Sequence, residues 1–516
     1  MACLMTALLG VSLLQVTSAV DCLEVKTTSG NVTGFLNETT PHVAQFLGIP
    51  FAQPPTRERR WLPALPITKP IGHINATRFG PICPQYETDV DVAPNVYTVD
   101  TTDFTPAPFN DQSEDCLSLS IWAPWDDGHS RHVTKKGLPV ILWIYGGGFG
   151  AGAINIPYTT PDRWVERSGK HIVVSINYRI GIFGFPTAAG LKYDEQNLGL
   201  LDQRLALEWT RDNIASFGGD PKHITIWGQS AGAMSVDYLN FAYPKDPIAA
   251  SLIMNSGTAT LSFLWPDPEF TNFTFVAKQF GCNDTEPKVQ LECLRKVDAS
   301  DITLFLKYYA QNGTDPGVAF VPLVDNRTVF ENHTARALAG NMSHVPAIIG
   351  NTADEGTSFT LPYNQTYGPD LAVADATTVG LFMCPTIQTS HDRYAANRTT
   401  FRYLYAGNFS NISPQWWEGA YHSSDLPMIF GTYGLARGNG TEFQKQVSEK
   451  MQDLWVAFAE NPVDGLPKME WNAYENGAGA GVLFGYEDQV VQPIAESSLD
   501  GSCDGLVPNG LPPPPR

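Results

Sequence analysis

The chain has 516 residues, 43% of them hydrophobic, so it is long enough for one large catalytic domain or for two to three average domains. Lys and Arg number 33 against 53 Asp and Glu, which gives a net charge of −20. This balance argues against electrostatic binding to nucleic acid or to an anionic membrane. The sequence has no basic run and no cysteine spacing typical of a zinc site, and we expect no cofactor and no metal.

Residues 1–19 have the pattern of a secretory signal peptide. Met5–Val16 is an apolar run too short to span a bilayer, and Thr17-Ser18-Ala19 suits cleavage before Val20. Because no Lys or Arg precedes the apolar run, an uncleaved anchor is the competing interpretation. No later stretch is predicted to cross a membrane.

Acceptor sites for N-glycosylation are dense, which agrees with export. The sites are Asn31, Asn37, Asn75, Asn272, Asn283, Asn312, Asn326, Asn332, Asn341, Asn364, Asn397, Asn408, Asn411 and Asn439. Together with the signal peptide, they predict a secreted glycoprotein.

The chain has eight cysteines, and the predicted cleavage removes Cys3. Disulfides are expected in an oxidising compartment, but their connectivity does not follow from sequence alone. The odd number that remains implies at least one free thiol. Cys384 ends the apolar run Leu381-Phe382-Met383-Cys384, and we interpret it as a buried thiol.

Strand and helix patterns alternate along the rest of the chain. They predict a β-rich stretch at 25–51, strands at 138–145, 172–178, 223–229, 249–255 and 347–350, and helices at 199–217, 231–239 and 442–460. A long, partly helical insert rich in glycosylation sites separates 255 from 347. Strands alternating with helices predict an α/β fold with a large, mainly parallel sheet and helices on both faces. With no internal repeat and no linker visible, residues 20–516 are predicted to form one domain with long insertions.

A strand-to-helix turn at Gly228-x-Ser230-x-Gly232 is the strongest chemical signal. The flanking glycines permit a strained backbone that exposes the serine hydroxyl. The first N–H groups of the following helix, beginning with Ala231, point to where an oxyanion would form.

Three glycines, 146–148, follow the predicted strand at 138–145. Bare backbone N–H groups at Gly147 and Gly148 could stabilise the same oxyanion as Ala231. A dinucleotide-binding interpretation fails, because Tyr158-Thr159-Thr160-Pro161 interrupts the helix that should follow.

A serine nucleophile needs a base and an acid that lie later in the chain. His422 lies between aromatic and apolar residues, and we favour it over His391, which lies in a polar stretch. The acid should follow a strand end, where Asp354 and Glu355 are adjacent carboxylates. Spacing does not choose between these two.

The chain resembles the type-B carboxylesterase/lipase family, which includes cholinesterases and secreted fungal esterases. The matching stretches occur in family order at 46–52, 113–117, 145–149, 213–221, 228–232, 354–356 and 422. The resemblance implies an α/β-hydrolase fold and a serine carboxylesterase acting on small-molecule esters.

The resemblance also assigns roles to individual residues. It implies Ser230 as nucleophile, His422 as base and Glu355 as acid, with Gly147, Gly148 and Ala231 as the oxyanion hole. It further implies that Ser256 supports the acid and the histidine, that Arg60 pairs with Glu114, and that disulfides join Cys83 to Cys116 and Cys282 to Cys293. Cys22 and Cys503 match nothing in the family and could pair with each other.

Two departures from the family bear on the substrate. Gln229 stands where many relatives carry glutamate, which removes a negative charge beside the nucleophile. The loop between Cys83 and Cys116 has no tryptophan, which argues against choline esters, and its acidic residues favour soluble esters over oil droplets. Two alternatives stay open: an acyltransferase or lactone-acting enzyme with the same triad, and a non-catalytic adhesion or binding relative.

Overall fold

The computed structural model describes residues 23–86, 111–125, 136–261, 266–312, 316–360, 366–435, 437–475, 480–495, 498–499 and 503. The predicted signal peptide, Cys22, Asn364 and most of the acidic loop lie outside these ranges.

Fourteen strands in the described residues form two sheets. They are β1 Glu24–Lys26, β2 Asn31–Thr33, β3 Phe35–Asn37, β4 Thr40–Pro50, β5 His73–Asn75, β6 Ser118–Pro124, β7 Leu138–Ile144, β8 Ile172–Ile176, β9 Gly219–Gln229, β10 Ser251–Asn255, β11 Ala347–Thr352, β12 Thr400–Tyr405, β13 Ala480–Tyr486 and β14 Gln489–Ala495. A small sheet has the order β1-β2-β5, and the large one has eleven strands in the order β14-β13-β12-β11-β10-β9-β7-β8-β6-β4-β3.

Parallel pairing runs without interruption from β8 through β7, β9, β10, β11 and β12 to β13. The outer strands β14, β6, β4 and β3 pair antiparallel. Most residues of the central strands are apolar and buried, as parallel strands covered by helices require. The prediction of an α/β fold with a mainly parallel sheet is therefore confirmed.

The described α-helices lie between and after these strands. They are α1 Asp162–Ser168, α2 Gly181–Gly184, α3 Leu198–Asn213, α4 Ala231–Ala242, α5 Thr271–Gln279, α6 Pro287–Leu294, α7 Ala299–Gln311, α8 His333–Leu338, α9 Leu371–Thr377, α10 Cys384–Ala395, α11 Leu426–Phe430 and α12 Glu442–Glu460. Four of them, α5 to α8, occupy the insert predicted between 255 and 347.

An aromatic cluster at the centre of the sheet joins segments that are distant in sequence. Trp143 of β7 and Trp227 of β9 are register partners with ring centroids 4.3 Å apart. Phe430 of α11 stacks on Trp227 at 4.9 Å. All three side chains are buried. This packing fixes the end of α11 near the carboxyl ends of β7 and β9.

One helical run among the described residues, Leu371–Ala395, has the length and apolar composition of a membrane span. This differs from the prediction that no later stretch could cross a membrane. A core helix of a soluble protein meets the same criteria, and this run contains the fully buried Arg393, which donates hydrogen bonds to Thr400 and to the Val345 carbonyl. We interpret the run as a core helix for that reason.

Three disulfides join cysteines among the described residues. Cys83 is bonded to Cys116 and Cys282 to Cys293, as the resemblance implies. Cys384 is bonded to Cys503 across 119 residues. The interpretation of Cys384 as a buried thiol is therefore wrong, and so is the suggested pairing of Cys503 with Cys22. An apolar run suits a buried bridge as well as a buried thiol, and sequence does not say which remote segment lies beside it.

Candidate active site

Ser230 stands alone between β9 and α4 in a strained conformation. Its φ is 55° and its ψ is −126°, a region that costs a non-glycine residue about 1–3 kcal/mol. Its backbone N–H donates to the Asn255 carbonyl of β10 at 2.8 Å, which helps hold the turn in place. The residue is 6% exposed, at the carboxyl edge of the parallel sheet.

The two glycines of the motif are required by contacts across this turn. A Cβ on Gly228 would lie 2.2 Å from the carbonyl of Gly232, and a Cβ on Gly232 would lie 2.1 Å from the carbonyl oxygen of Ile144 in β7. No side chain fits at either position without displacing backbone. The sharp turn at Ser230 therefore depends on both glycines.

The triglycine loop after β7 passes directly beside Ser230. A Cβ built on Gly146 would lie 2.9 Å from the Cβ of Ser230, and Gly147 has a φ of 102°, which favours glycine. Within the described ranges, no protein acceptor is bonded to the N–H groups of Gly147, Gly148 or Ala231. Three backbone donors near the serine are thus available to a substrate oxygen.

His422 and Glu355 form a buried pair. The imidazole Nδ1 lies 2.5 Å from Oε2 of Glu355, whose other oxygen accepts the Thr352 N–H at 2.8 Å. Glu355 is fully buried and His422 is 8% exposed. A carboxylate facing Nδ1 places the imidazole proton on that nitrogen and leaves Nε2 as the basic atom.

The neighbouring carboxylate, Asp354, has a different set of contacts. Its Oδ2 accepts the Ala420 N–H at 2.8 Å, its own N–H donates to the Ala420 carbonyl at 2.9 Å, and it forms a parallel bridge with Tyr421. Geometry therefore distinguishes the two carboxylates that spacing left open. Glu355 contacts the imidazole of His422, and Asp354 holds the segment Ala420-Tyr421 that precedes it.

The other candidate histidine, His391, lies in α10. Its ring centroid is 6.1 Å from that of Tyr474, and it belongs to a half-buried helix face. The polar stretch around it, which argued against a role as base, is part of this helix.

Two phenylalanines flank the imidazole of His422. The ring of Phe359 lies edge-to-face at 4.8 Å, and Phe382 lies at 4.9 Å. Phe359 is 38% exposed, whereas Phe382 is buried. They form an apolar wall beside the imidazole, which limits its access to water.

Asp425 is a buried acid that the sequence interpretation did not assign. Its Oδ2 accepts the hydroxyl of Tyr403 at 2.9 Å and the amide of Asn255 at 3.0 Å. Burial, and then the negative charge of Glu355, raises the pKa of Asp425 to about 6. A carboxylate followed directly by the apolar run 426–430 is a sequence signal that could have revealed it.

Two further residues implied by the resemblance have clear positions. Arg60 forms a bidentate pair with Glu114, at 2.6 and 2.7 Å, and both side chains are largely buried. Ser256 follows β10 with a φ of 56°, and its buried hydroxyl has no hydrogen-bond partner among the described residues. Its supporting role stays a prediction. The part of the chain that the structure describes contains no group of three or more His, Cys, Asp or Glu that could hold a metal.

Sequence comparison decides the family. The profile of the Carboxylesterase family matches residues 21–370 and 363–496. The chain belongs to the carboxylesterase family. It is 40% identical over 497 residues to a chlorogenic acid esterase of Aspergillus niger, covering 93% of this chain and 94% of that protein.

Two other family members show how far the similarity extends. Secreted lipase 5 of Gibberella zeae is 38% identical over 515 residues, covering 95% of this chain and 94% of that protein. The para-nitrobenzyl esterase of Bacillus subtilis is 30% identical, covering 87% and 92% respectively. These matches confirm the predicted membership of the type-B carboxylesterases and, with it, the α/β-hydrolase fold.

Proposed function

We propose that this carboxylesterase is a secreted serine enzyme that hydrolyses small soluble esters, with Ser230 as nucleophile, His422 as base and Glu355 as acid. The observation that carries the proposal is the buried contact between His422 and Glu355, in a site whose strained serine faces unpaired backbone donors. The backbone strain at Ser230 costs stability, and a purely structural role would not require it beside this contact and these donors.

The reaction follows from these positions. His422 Nε2 takes the proton of the Ser230 hydroxyl as its oxygen bonds to the ester carbonyl carbon. Glu355 holds the imidazole orientation and stabilises its positive charge. The N–H groups of Gly147, Gly148 and Ala231 bind the oxyanion.

The second half of the reaction regenerates the enzyme. The imidazolium gives its proton to the departing alkoxide, and the alcohol leaves an acyl-enzyme on Ser230. His422 then takes a proton from water, whose oxygen attacks the acyl carbon. The bond between the acyl carbon and the Ser230 oxygen breaks, the imidazolium returns its proton to that oxygen, and the carboxylic acid leaves. No cofactor enters either step.

The choice of soluble esters rests on charge and on the relatives. The segment between Cys83 and Cys116 is acidic, which disfavours adsorption to an apolar interface. One relative is named chlorogenic acid esterase and another secreted lipase 5. A panel of p-nitrophenyl esters of increasing acyl length, together with chlorogenic acid and emulsified triglyceride, separates these possibilities. We expect turnover of dissolved esters without activation by emulsion.

Secretion is supported by the predicted signal peptide, by the three disulfides and by the relative named as secreted. We expect the exported protein to begin near Val20 and to carry N-linked glycans. Amino-terminal sequencing of protein from culture medium tests the cleavage site, and retention in the membrane fraction would favour the uncleaved anchor instead.

A matched pair of variants tests the assignment of the acid. Glu355→Gln removes the charge that stabilises the imidazolium, and we expect kcat to fall about 10⁴-fold without unfolding. Asp354→Asn keeps a carbonyl oxygen for Ala420, and we expect a loss of less than about tenfold. An equal loss of kcat in Glu355→Gln and Asp354→Asn would reject Glu355 as the acid. Full activity in Ser230→Ala would reject Ser230 as the nucleophile. Absence of turnover in the unchanged protein would favour the non-catalytic alternative.

A further inference from the structure

The basic nitrogen of His422 already has a partner in this structure. The side-chain amide nitrogen of Gln229 lies 2.9 Å from Nε2 of His422. Among the hydrogen bonds of the described residues, none joins that nitrogen to the Ser230 hydroxyl. Gln229 is 3% exposed, so water does not replace either group freely.

The position of the proton on His422 determines whether Gln229 or His422 donates this hydrogen bond. Nδ1 of His422 faces the Glu355 carboxylate at 2.5 Å and therefore carries a proton. In a neutral imidazole, Nε2 then has a bare lone pair, which accepts an N–H from Gln229. An imidazolium would instead present a second N–H, which would oppose the amide donor of Gln229.

The Gln229 contact therefore distinguishes the two protonation states of His422. A hydrogen bond to the neutral form of a group disfavours its charged form. We propose that Gln229 is a positioning residue that holds His422 as a neutral base at rest and must release Nε2 before Ser230 can transfer its proton. This inference rests on the proposed function and deepens it by adding a residue that sets when the base is available.

The other groups around the imidazole of His422 either favour its charged form or are uncharged. Glu355, from the turn after β11, and Asp425, three residues along the chain, are both acids whose negative charge favours the imidazolium. Phe359 and Phe382 contribute apolar surface only. Of the side chains that the structure places against His422, Gln229 is thus the one that favours the neutral base by a hydrogen bond.

Substitution of Gln229 tests the idea in two steps. Gln229→Met keeps the length of the side chain and removes the donor. Gln229→Glu replaces the donor with a charge that pairs with the imidazolium. Gln45→Met, on β4 and four strands away from β9 in the sheet, is the matched control for the loss of a buried glutamine amide.

We would measure kcat/KM on a dissolved p-nitrophenyl ester, and the rate of labelling by an organophosphate, from pH 4 to pH 9. The acidic limb of both profiles should move upward by roughly half to one pH unit in Gln229→Met. The shift should be roughly one to two units in Gln229→Glu. At the upper plateau, Gln229→Met should be labelled about 2- to 10-fold faster than the unchanged protein, because Nε2 is free to engage Ser230. Gln45→Met should behave as the unchanged protein.

An acidic limb that stays in place in both Gln229 variants would overturn the inference. So would slower labelling of Gln229→Met without a pH shift, which would mean that the glutamine only fills space. Failure of the proposed function looks different, because turnover would then survive in Ser230→Ala whatever stands at position 229.

Discussion

Replacing Asp425 by asparagine should change how stability depends on pH. Burial and the charge of Glu355 raise the pKa of Asp425 from 3.8 to about 6 in the folded protein. Between these two pH values the folded state binds a proton that the unfolded state has released. The free energy of unfolding contributed by this group is therefore fully present below about pH 4 and falls as pH rises towards 6.

The size of the effect follows from the shift. A change of about two pKa units, at about 1.4 kcal/mol each, corresponds to roughly 3 kcal/mol. The Asp425→Asn variant cannot ionise and loses this penalty. Its amide oxygen can still accept hydrogen bonds from Tyr403 and Asn255, which now converge on Oδ2. Any cost of reorienting the amide does not depend on pH.

The assay is urea unfolding of both proteins at pH 4.5 and pH 7.5. Because about 1 kcal/mol of the effect is already present at pH 4.5, we expect the Asp425→Asn variant to gain roughly 2 kcal/mol relative to the unchanged protein between the two pH values. Each measurement on the variant is compared with the unchanged protein at the same pH, so that effects common to both proteins cancel. The reasoning would be refuted if the difference in free energy of unfolding between Asp425→Asn and the unchanged protein were the same at both pH values, within about 0.5 kcal/mol. That result would mean that Asp425 has the same pKa in the folded and unfolded states.

Three other outcomes follow from the structure. Replacing Cys384 and Cys503 together by serine opens a loop of 119 residues and so increases the entropy of the unfolded chain. Calorimetry should show an apparent Tm lower by roughly 3 °C. An unchanged Tm would mean that the bridge is not formed. Asn411 is 8% exposed and donates its side-chain amide to the Tyr433 carbonyl, so glycopeptide mapping should find it unmodified; a glycan there would contradict the packing of this segment. Arg60→Met leaves Glu114 largely buried without its partner and should destabilise the protein by about 3 kcal/mol in urea unfolding. A change below about 1 kcal/mol would mean that the Glu114 carboxylate is solvated and not buried.

The sequence predicts the central elements well because they are decided locally. The observed α12, Glu442–Glu460, has the predicted bounds, and β7, β9 and α4 lie within a few residues of prediction. The short apolar runs at 138–145 and 172–178 form buried strands. Close backbone contacts leave glycine as the residue that fits at positions 228 and 232 beside Ser230. Apolar periodicity and turn chemistry carry this information.

Features that depend on remote contacts were not predictable in the same way. The residues alone left Asp354 and Glu355 as equals. They are separated by the contact of Glu355 with His422 and by the bridge between Asp354 and Tyr421. The interpretation of Cys384 as a buried thiol was likewise wrong, because the structure brings residue 503 to α10 from a segment more than a hundred residues later in the chain. Strands β12, β13 and β14, which lie at one end of the large sheet, were not predicted either.

Mapping the site of an organophosphate label by peptide mass spectrometry tests the central claim most directly. The account predicts one label per chain, on Ser230, with labelling slowed about 10⁴-fold in His422→Ala. A label on a different serine, or labelling of His422→Ala at the rate of the unchanged protein, would contradict it.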